Sequence, residues 1–173
     1  MNSPYDLEPS KWGDLPNGDF ATFGVVEVPT THVAKPDALI SPRNERNYIG
    51  EDVYNSTAAK QTASTFAFRG STKKFFVRVD NDGEGRELFR VSGGNNPRGY
   101  SVRYFDGVTD VTPSVTSGQF EFNLDPGGSK SIRVEIKVRR SAVSGSSQRF
   151  KIVASSASEP ARADAVKASV TVR

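Results

Sequence analysis

Few residues in this chain are equipped for chemistry, and each has a competing structural role. The run Asp80-Asn81-Asp82-Gly83-Glu84-Gly85 opens like a calcium loop, with oxygen-bearing side chains leading into a glycine turn. An EF-hand loop closes on a bidentate Glu at its twelfth position, and here that position is Val91. The flanking segments read as strands and leave no room for the two helices. The run is therefore read as a hairpin turn, with a weak surface cation site as the alternative. His32 is the only histidine and lies beside Thr30 and Thr31. One histidine cannot supply a multi-histidine metal site, and no nucleophile-elbow pattern accompanies it for a Ser-His-Asp triad. Carboxylates are scattered, and no spacing singles out a pair for acid–base work. Asn55-Ser56-Thr57 fits the glycosylation acceptor pattern, which short sequences often meet by chance. The chain has no Cys, which removes disulfides, thiolate metal sites and cysteine nucleophiles together. The residues point to no catalytic centre, no cofactor and no dedicated metal ligand, so the chain is read as a non-enzyme.

Charge says more about partners. The net charge is +3, and it is unevenly spread. Residues 1–35 carry Lys11 and Lys35 against Asp6, Glu8, Asp14, Asp19 and Glu27, net −3, which leaves +6 for the rest. A mildly acidic arm ahead of a basic body suits docking between neighbouring copies, against the plainer reading of ordinary solvated charge. Arg43, Arg46, Lys73, Lys74, Arg139 and Arg140 are not interleaved with regularly spaced aromatics, so nucleic acid is disfavoured as a partner. Basic residues on edge strands serve more often to block sheet-to-sheet aggregation. No apolar run reaches the roughly 18 residues of a membrane-spanning helix. The first twenty residues lack the basic and apolar regions of a signal peptide.

From residue 61 onward the dominant period is two. In Ile132-Arg133-Val134-Glu135-Ile136-Lys137-Val138-Arg139, apolar and charged residues alternate without a break. Successive strand side chains point to opposite faces, so the segment has one buried and one wet face. The same pattern predicts strands over 74–80, 88–91, 100–104, 120–124, 150–154 and 166–172, with 61–69 a weaker candidate. Turn signals separate them: Asn81-Asp82-Gly83, Gly93 to Pro97, Asp125 to Gly128, and Ser144 to Ser147. Asp-Gly between alternating runs is the strongest short hairpin signal, because Gly takes positive φ cheaply. Seven or more short strands with frequent turns and no long helical pattern predict an all-β, antiparallel immunoglobulin-like sandwich. Residues 1–35 differ. Pro4, Pro9, Pro16 and Pro29 punctuate them, and only Phe20 to Val28 looks strand-like. They read as an extended arm whose Trp12, Phe20, Phe23, Val25, Val26 and Val28 need cover.

Several stretches of residues 36–173 carry a family resemblance. They are Pro36-Asp37-Ala38-Leu39-Ile40, Gly50-Glu51-Asp52-Val53-Tyr54-Asn55 and Val77-Arg78-Val79-Asp80-Asn81-Asp82-Gly83, followed by Val102-Arg103-Tyr104-Phe105 with Asp110-Val111-Thr112. Leu124-Asp125-Pro126-Gly127 and Ser158 to Val166 complete the set. The body resembles immunoglobulin-like modules of large secreted and surface proteins of bacteria, of the adhesion-related and glycosidase-associated type. The resemblance implies a passive module: a spacer, a stalk element, or a surface for protein or glycan contact. Its usual setting is a multi-repeat protein with a signal peptide, whereas this chain holds one copy and an arm with no recognised counterpart.

The expected function is that of a structural or interaction subunit. The arm, 1–35, docks on a neighbouring subunit or copy, the apolar strip Phe20 to Val28 adding a strand to an exposed sheet edge. The expected location is extracellular or cell surface, with a virion surface as the alternative. The competing expectation is a carbohydrate- or protein-binding accessory module of a secreted enzyme or adhesin.

Overall fold

The computed structural model describes residues 33–173. The arm positions Trp12, Phe20, Phe23, Val25, Val26 and Val28, and also His32, lie outside the described residues. Among the described residues there are ten strands: β1 (Pro36–Ser41), β2 (Thr62–Ala67), β3 (Thr72–Asn81), β4 (Glu87–Gly93), β5 (Tyr100–Asp106), β6 (Thr109–Asp110), β7 (Phe120–Leu124), β8 (Ser129–Val138), β9 (Ser147–Ser156) and β10 (Ala163–Val172). One short helix, α1 (Thr112–Ser117), sits between β6 and β7. The strands form two five-stranded sheets, in the orders β1-β3-β8-β5-β6 and β2-β10-β9-β4-β7. This is an all-β sandwich of the immunoglobulin-like type, and every pair is antiparallel except β2 with β10, which is parallel.

The alternation of β8 does what period two requires. Ile132, Val134, Ile136 and Val138 are buried, and the charged residues between them face outward. Phe75, Val77 and Val79 of β3 join them from one side of that sheet. Phe89 and Val91 of β4, Phe150 and Ile152 of β9, and Val166 and Val170 of β10 close the core from the other sheet. Tyr100 meets Phe150 edge-on, with ring centroids 5.7 Å apart.

The turn signals mark crossings between sheets, which corrects the hairpin reading. Asn81-Asp82-Gly83 follows β3 in the first sheet and leads to β4 in the second. Asn81 explains the redirection. Its buried side chain donates to the carbonyls of Gly85 (2.8 Å) and Leu124 (3.0 Å) and accepts from the Gly83 amide (3.0 Å). Its backbone pairs with Gly127 and Gly128, so two crossings are stitched together at one end of the sandwich. The segments 93–97, 125–128 and 144–147 likewise carry the chain from one sheet to the other. True reversals within a sheet are β5–β6 and β9–β10.

Both faces of β1 are covered. All six of its residues are buried. Ile40 and Ile49 exchange backbone hydrogen bonds at 2.9 Å, and the Gln61 side chain donates to the Ala38 carbonyl at 3.2 Å. The segment 49–61 thus closes one end of the first sheet.

Candidate functional site

Three buried polar residues, Asp37, Gln61 and Asp164, gather where β1, the 50–61 segment and β10 meet. Asp164, in β10, is fully buried. Its Oδ2 accepts from the Ala38 amide and from Gln61 Nε2, both at 2.8 Å, and its Oδ1 accepts from the Asn55 amide at 2.8 Å. Asn55 uses its own amide group internally, donating to Ala59 O (3.1 Å) and Gln61 Oε1 (2.9 Å) and accepting from the Ala59 amide (2.8 Å). These bonds fix the 50–61 segment and explain Asn55 as a structural residue.

The fixed segment holds Asp52 and Tyr54 against two other acids. Asp37, the second residue of β1, is only 2% exposed. Its Oδ2 accepts from the Asp52 amide at 2.9 Å, and its Oδ1 has no hydrogen-bond partner among the described residues. Asp82, in the β3–β4 crossing, donates its amide to Lys35 O at 3.0 Å. Carboxylate oxygens of Asp37, Asp52 and Asp82 lie within 4.8 Å of one another. The Tyr54 hydroxyl sits 2.9 Å from Asp52 Oδ1 and 2.6 Å from Asp82 Oδ2. A phenol has one proton, so it can satisfy only one of these acceptors fully.

The electrostatics follow from that crowding. Burial pushes the Asp37 carboxyl up to about 7, and the neighbouring Asp82, Asp164 and Asp80 add to the effect while the Asp52 amide opposes it. Loss of solvent raises the Tyr54 hydroxyl above the ordinary phenol range, and its bonds to Asp82 and Asp52 reinforce the shift. Among the described residues, none of the three acids takes part in an ion pair. Lys35 is the nearby cation, its Nζ 4.1 Å from the Tyr54 ring centroid.

Of the calcium-like run, only Asp82 reaches this cluster. Asp80 is held by Arg78, with bonds of 2.7 to 3.0 Å. Asn81 is the buried stitch described above, and Val91 is a core residue. The linear loop reading thus fails, while a composite cluster takes its place. Asp37, Asp52 and Tyr54 were not singled out by sequence reasoning. They stand in two segments well apart in sequence from Asp82, so no local spacing signals the cluster.

Two surfaces complete the inventory. On the outer face of the first sheet, basic residues are matched with acids: Arg78–Asp80, Arg133–Glu135 (3.0 Å) and Arg103–Asp110. Arg103 and Arg133 also cover the ring of Phe105, at 5.0 and 4.5 Å. In the second sheet, β2 is the edge strand next to β10. Phe66 and Phe68, in and just after it, are 54% and 68% exposed, and the Arg173 guanidinium lies 4.0 Å from the Phe66 ring centroid.

No family model matches this sequence, and neither does any curated protein. Among solved structures, the chain is similar in fold to a family 123 glycoside hydrolase from Clostridium perfringens. The identity is 13%, the TM-score 0.52, and the match covers 80% of this chain and 27% of that one. Weaker likenesses join it to the secreted serine protease VesC from Vibrio cholerae (12% identity, TM-score 0.42, 65% of this chain and 22% of that one) and to the SrpA adhesin from Streptococcus sanguinis (12%, 0.42, 82% and 58%). The chain spans about a quarter of the hydrolase and of the protease, and these likenesses concern fold. Among the described residues, no helix is long and apolar enough to cross a membrane.

Proposed function

We propose that this chain is a non-catalytic interaction module of a secreted or cell-surface protein, and that its arm, residues 1–35, docks on a neighbouring copy. The observation that carries the reading is the edge strand β2. Among the described residues no strand pairs with its outer side, and Phe66 and Phe68 stand exposed beside it. An open edge with apolar side chains is a template for an added strand. The arm carries a suitable strip, Phe20 to Val28, which would set its apolar side chains against Phe66 and Phe68 while its backbone pairs with β2. A head-to-tail exchange of this kind generates a ring or a chain of copies.

The test uses full-length protein in light scattering across micromolar concentrations. The expected result is a mass that grows with concentration, and a monomer for both Phe68→Glu and Val25→Pro. Proline removes a backbone donor and a glutamate charges the exposed edge, without disturbing any buried residue of the described fold. A wild-type chain that stays monomeric, or variants that assemble as the wild type does, would overturn the reading.

The second reading, a glycan- or protein-binding accessory module, draws on the same exposed Phe66 and Phe68. It predicts that a monomeric chain retains glycan on an array and that Phe68→Ala loses it.

A further inference from the structure

The three acids around Tyr54 have a feature that ordinary surface carboxylates lack. Asp52 and Asp82 are exposed, but Asp37 is buried to 2% and its Oδ1 has no partner among the described residues. A buried, unpaired carboxylate oxygen is costly, and such groups are normally satisfied by a donor or by an ion. The Asp37 carboxylate is also turned toward the other two, since one of its oxygens lies within 4.8 Å of an oxygen of each. The Tyr54 proton cannot serve both Asp52 and Asp82, and no Lys or Arg among the described residues pairs with any of the three.

We propose that Asp37, Asp52 and Asp82 form a calcium site that clamps the start of β1, the 50–61 segment and the β3–β4 crossing to one another. The donor set is oxygen only, which selects a hard cation over zinc or copper. Calcium is favoured over magnesium because a partial, irregular set of carboxylates suits its larger and more flexible shell, whereas magnesium demands near-octahedral geometry and gives up its waters reluctantly. Three carboxylates supply fewer than the six to eight oxygens calcium takes, so water completes the shell. Affinity is accordingly modest, on the order of the 10⁻⁴–10⁻³ M typical of extracellular modules. The site would rigidify the point where Lys35 leads into β1, because Asp82 already holds the Lys35 carbonyl. The backbone of Asp52 is prepared for the role: its φ of 59° turns its amide to Asp37.

The experiment takes the full-length chain, stripped with chelator, and follows its melting temperature at fixed ionic strength. Calcium at about ten times its dissociation constant should raise the melting temperature by about 3–6 °C, and magnesium at the same concentration by less than half of that. Asp52→Asn and Asp82→Asn should abolish the rise while the calcium-free protein remains folded. Both acids are exposed, and Asn tolerates the left-handed backbone at 52. Glu84→Gln, an exposed acid in the same crossing, should keep the rise in full. Terbium, a calcium surrogate, should luminesce when excited through tyrosine, and Tyr54→Phe should cut that signal at least severalfold. The competing occupants are a proton on Asp37 and the Lys35 ammonium, and both predict a melting temperature indifferent to calcium. No rise in the wild type, an equal rise with magnesium, or a rise that survives in both Asn variants would overturn the proposal.

Discussion

Replacing Asp164 by Ala tests how the 50–61 segment is held. Its side chain is fully buried and accepts three hydrogen bonds of 2.8 Å, from the Ala38 amide, the Asn55 amide and Gln61 Nε2. Truncation leaves all three donors without that acceptor. A buried orphaned donor costs about 1–3 kcal/mol. The Ala38 amide is in buried surroundings and carries that cost in full, the part-buried Asn55 amide can recruit water and carries less, and Gln61 Nε2 keeps the Val53 and Ala38 carbonyls as acceptors at 2.7 and 3.2 Å. The sum is about 2–4 kcal/mol, a sizeable part of the roughly 5–15 kcal/mol stability of a domain. Urea unfolding should show a lower midpoint with the slope unchanged, and the melting temperature should fall by about 5–15 °C. Asp164→Asn should lie close to Ala, because its amide sets a donor against donors. Asp125→Asn is the control, since that side chain is 79% exposed and its pair with Arg86 is 3.8 Å long. An Asp164→Ala protein within about 1 kcal/mol of wild type would refute the tether. It would also remove the reason for Asp52 and Tyr54 being fixed in place.

Asp37 predicts a pH dependence in calcium-free buffer. Its unfolded carboxyl titrates near 3.9, while burial holds the folded one up to about 7. Between those values the folded state binds more protons than the unfolded state, so stability falls as pH rises from about 4 to about 7. The full shift sets a ceiling of about 4 kcal/mol, and solvent reaching Asp52 and Asp82 brings the expected loss to about 1–3 kcal/mol. Asp37→Asn should flatten that slope in melts at pH 5 and pH 8, and an unchanged slope would contradict it. Gly93 faces the buried Tyr104, whose hydroxyl donates to Gly94 O at 3.2 Å. A Cβ at 93 would overlap that hydroxyl, so Gly93→Ala should cost at least about 1–3 kcal/mol. Tyr104→Phe in the same chain should recover part of the loss, and strict additivity of the two changes in a double-mutant cycle would contradict the contact.

Strand positions were legible because alternation is written locally. β8 shows it over Ile132 to Val138, and the structure places those residues as expected. β1 was not read as a strand because Pro36–Ser41 is buried on both faces, which erases the alternation that marks a half-buried strand. α1 was missed although Pro113 near its start and Gly118 at its end, with φ 71°, are ordinary helix boundaries. Its six residues bury only Val115, too few to show a helical period. Turn residues marked where the chain bends and carried no information on which sheet it joins next. At Asn81 that choice is made by Gly85, Leu124, Gly127 and Gly128, partners up to 47 residues away in sequence. The acid cluster was hidden for the same reason. Asp37, Asp52 and Asp82 are spread across three segments, and only the fold gathers them.

The central claim is that β2 accepts a strand from a neighbouring copy, and hydrogen exchange tests it most directly. Exchange at residues 62–68 of the full-length chain would be followed at low and high protein concentration, beside Val25→Pro. The account predicts amides in this segment that exchange at least tenfold more slowly at high concentration in the wild type and do not change in the variant. Exchange in this segment that is the same at both concentrations, or slowed equally in Val25→Pro, would contradict it.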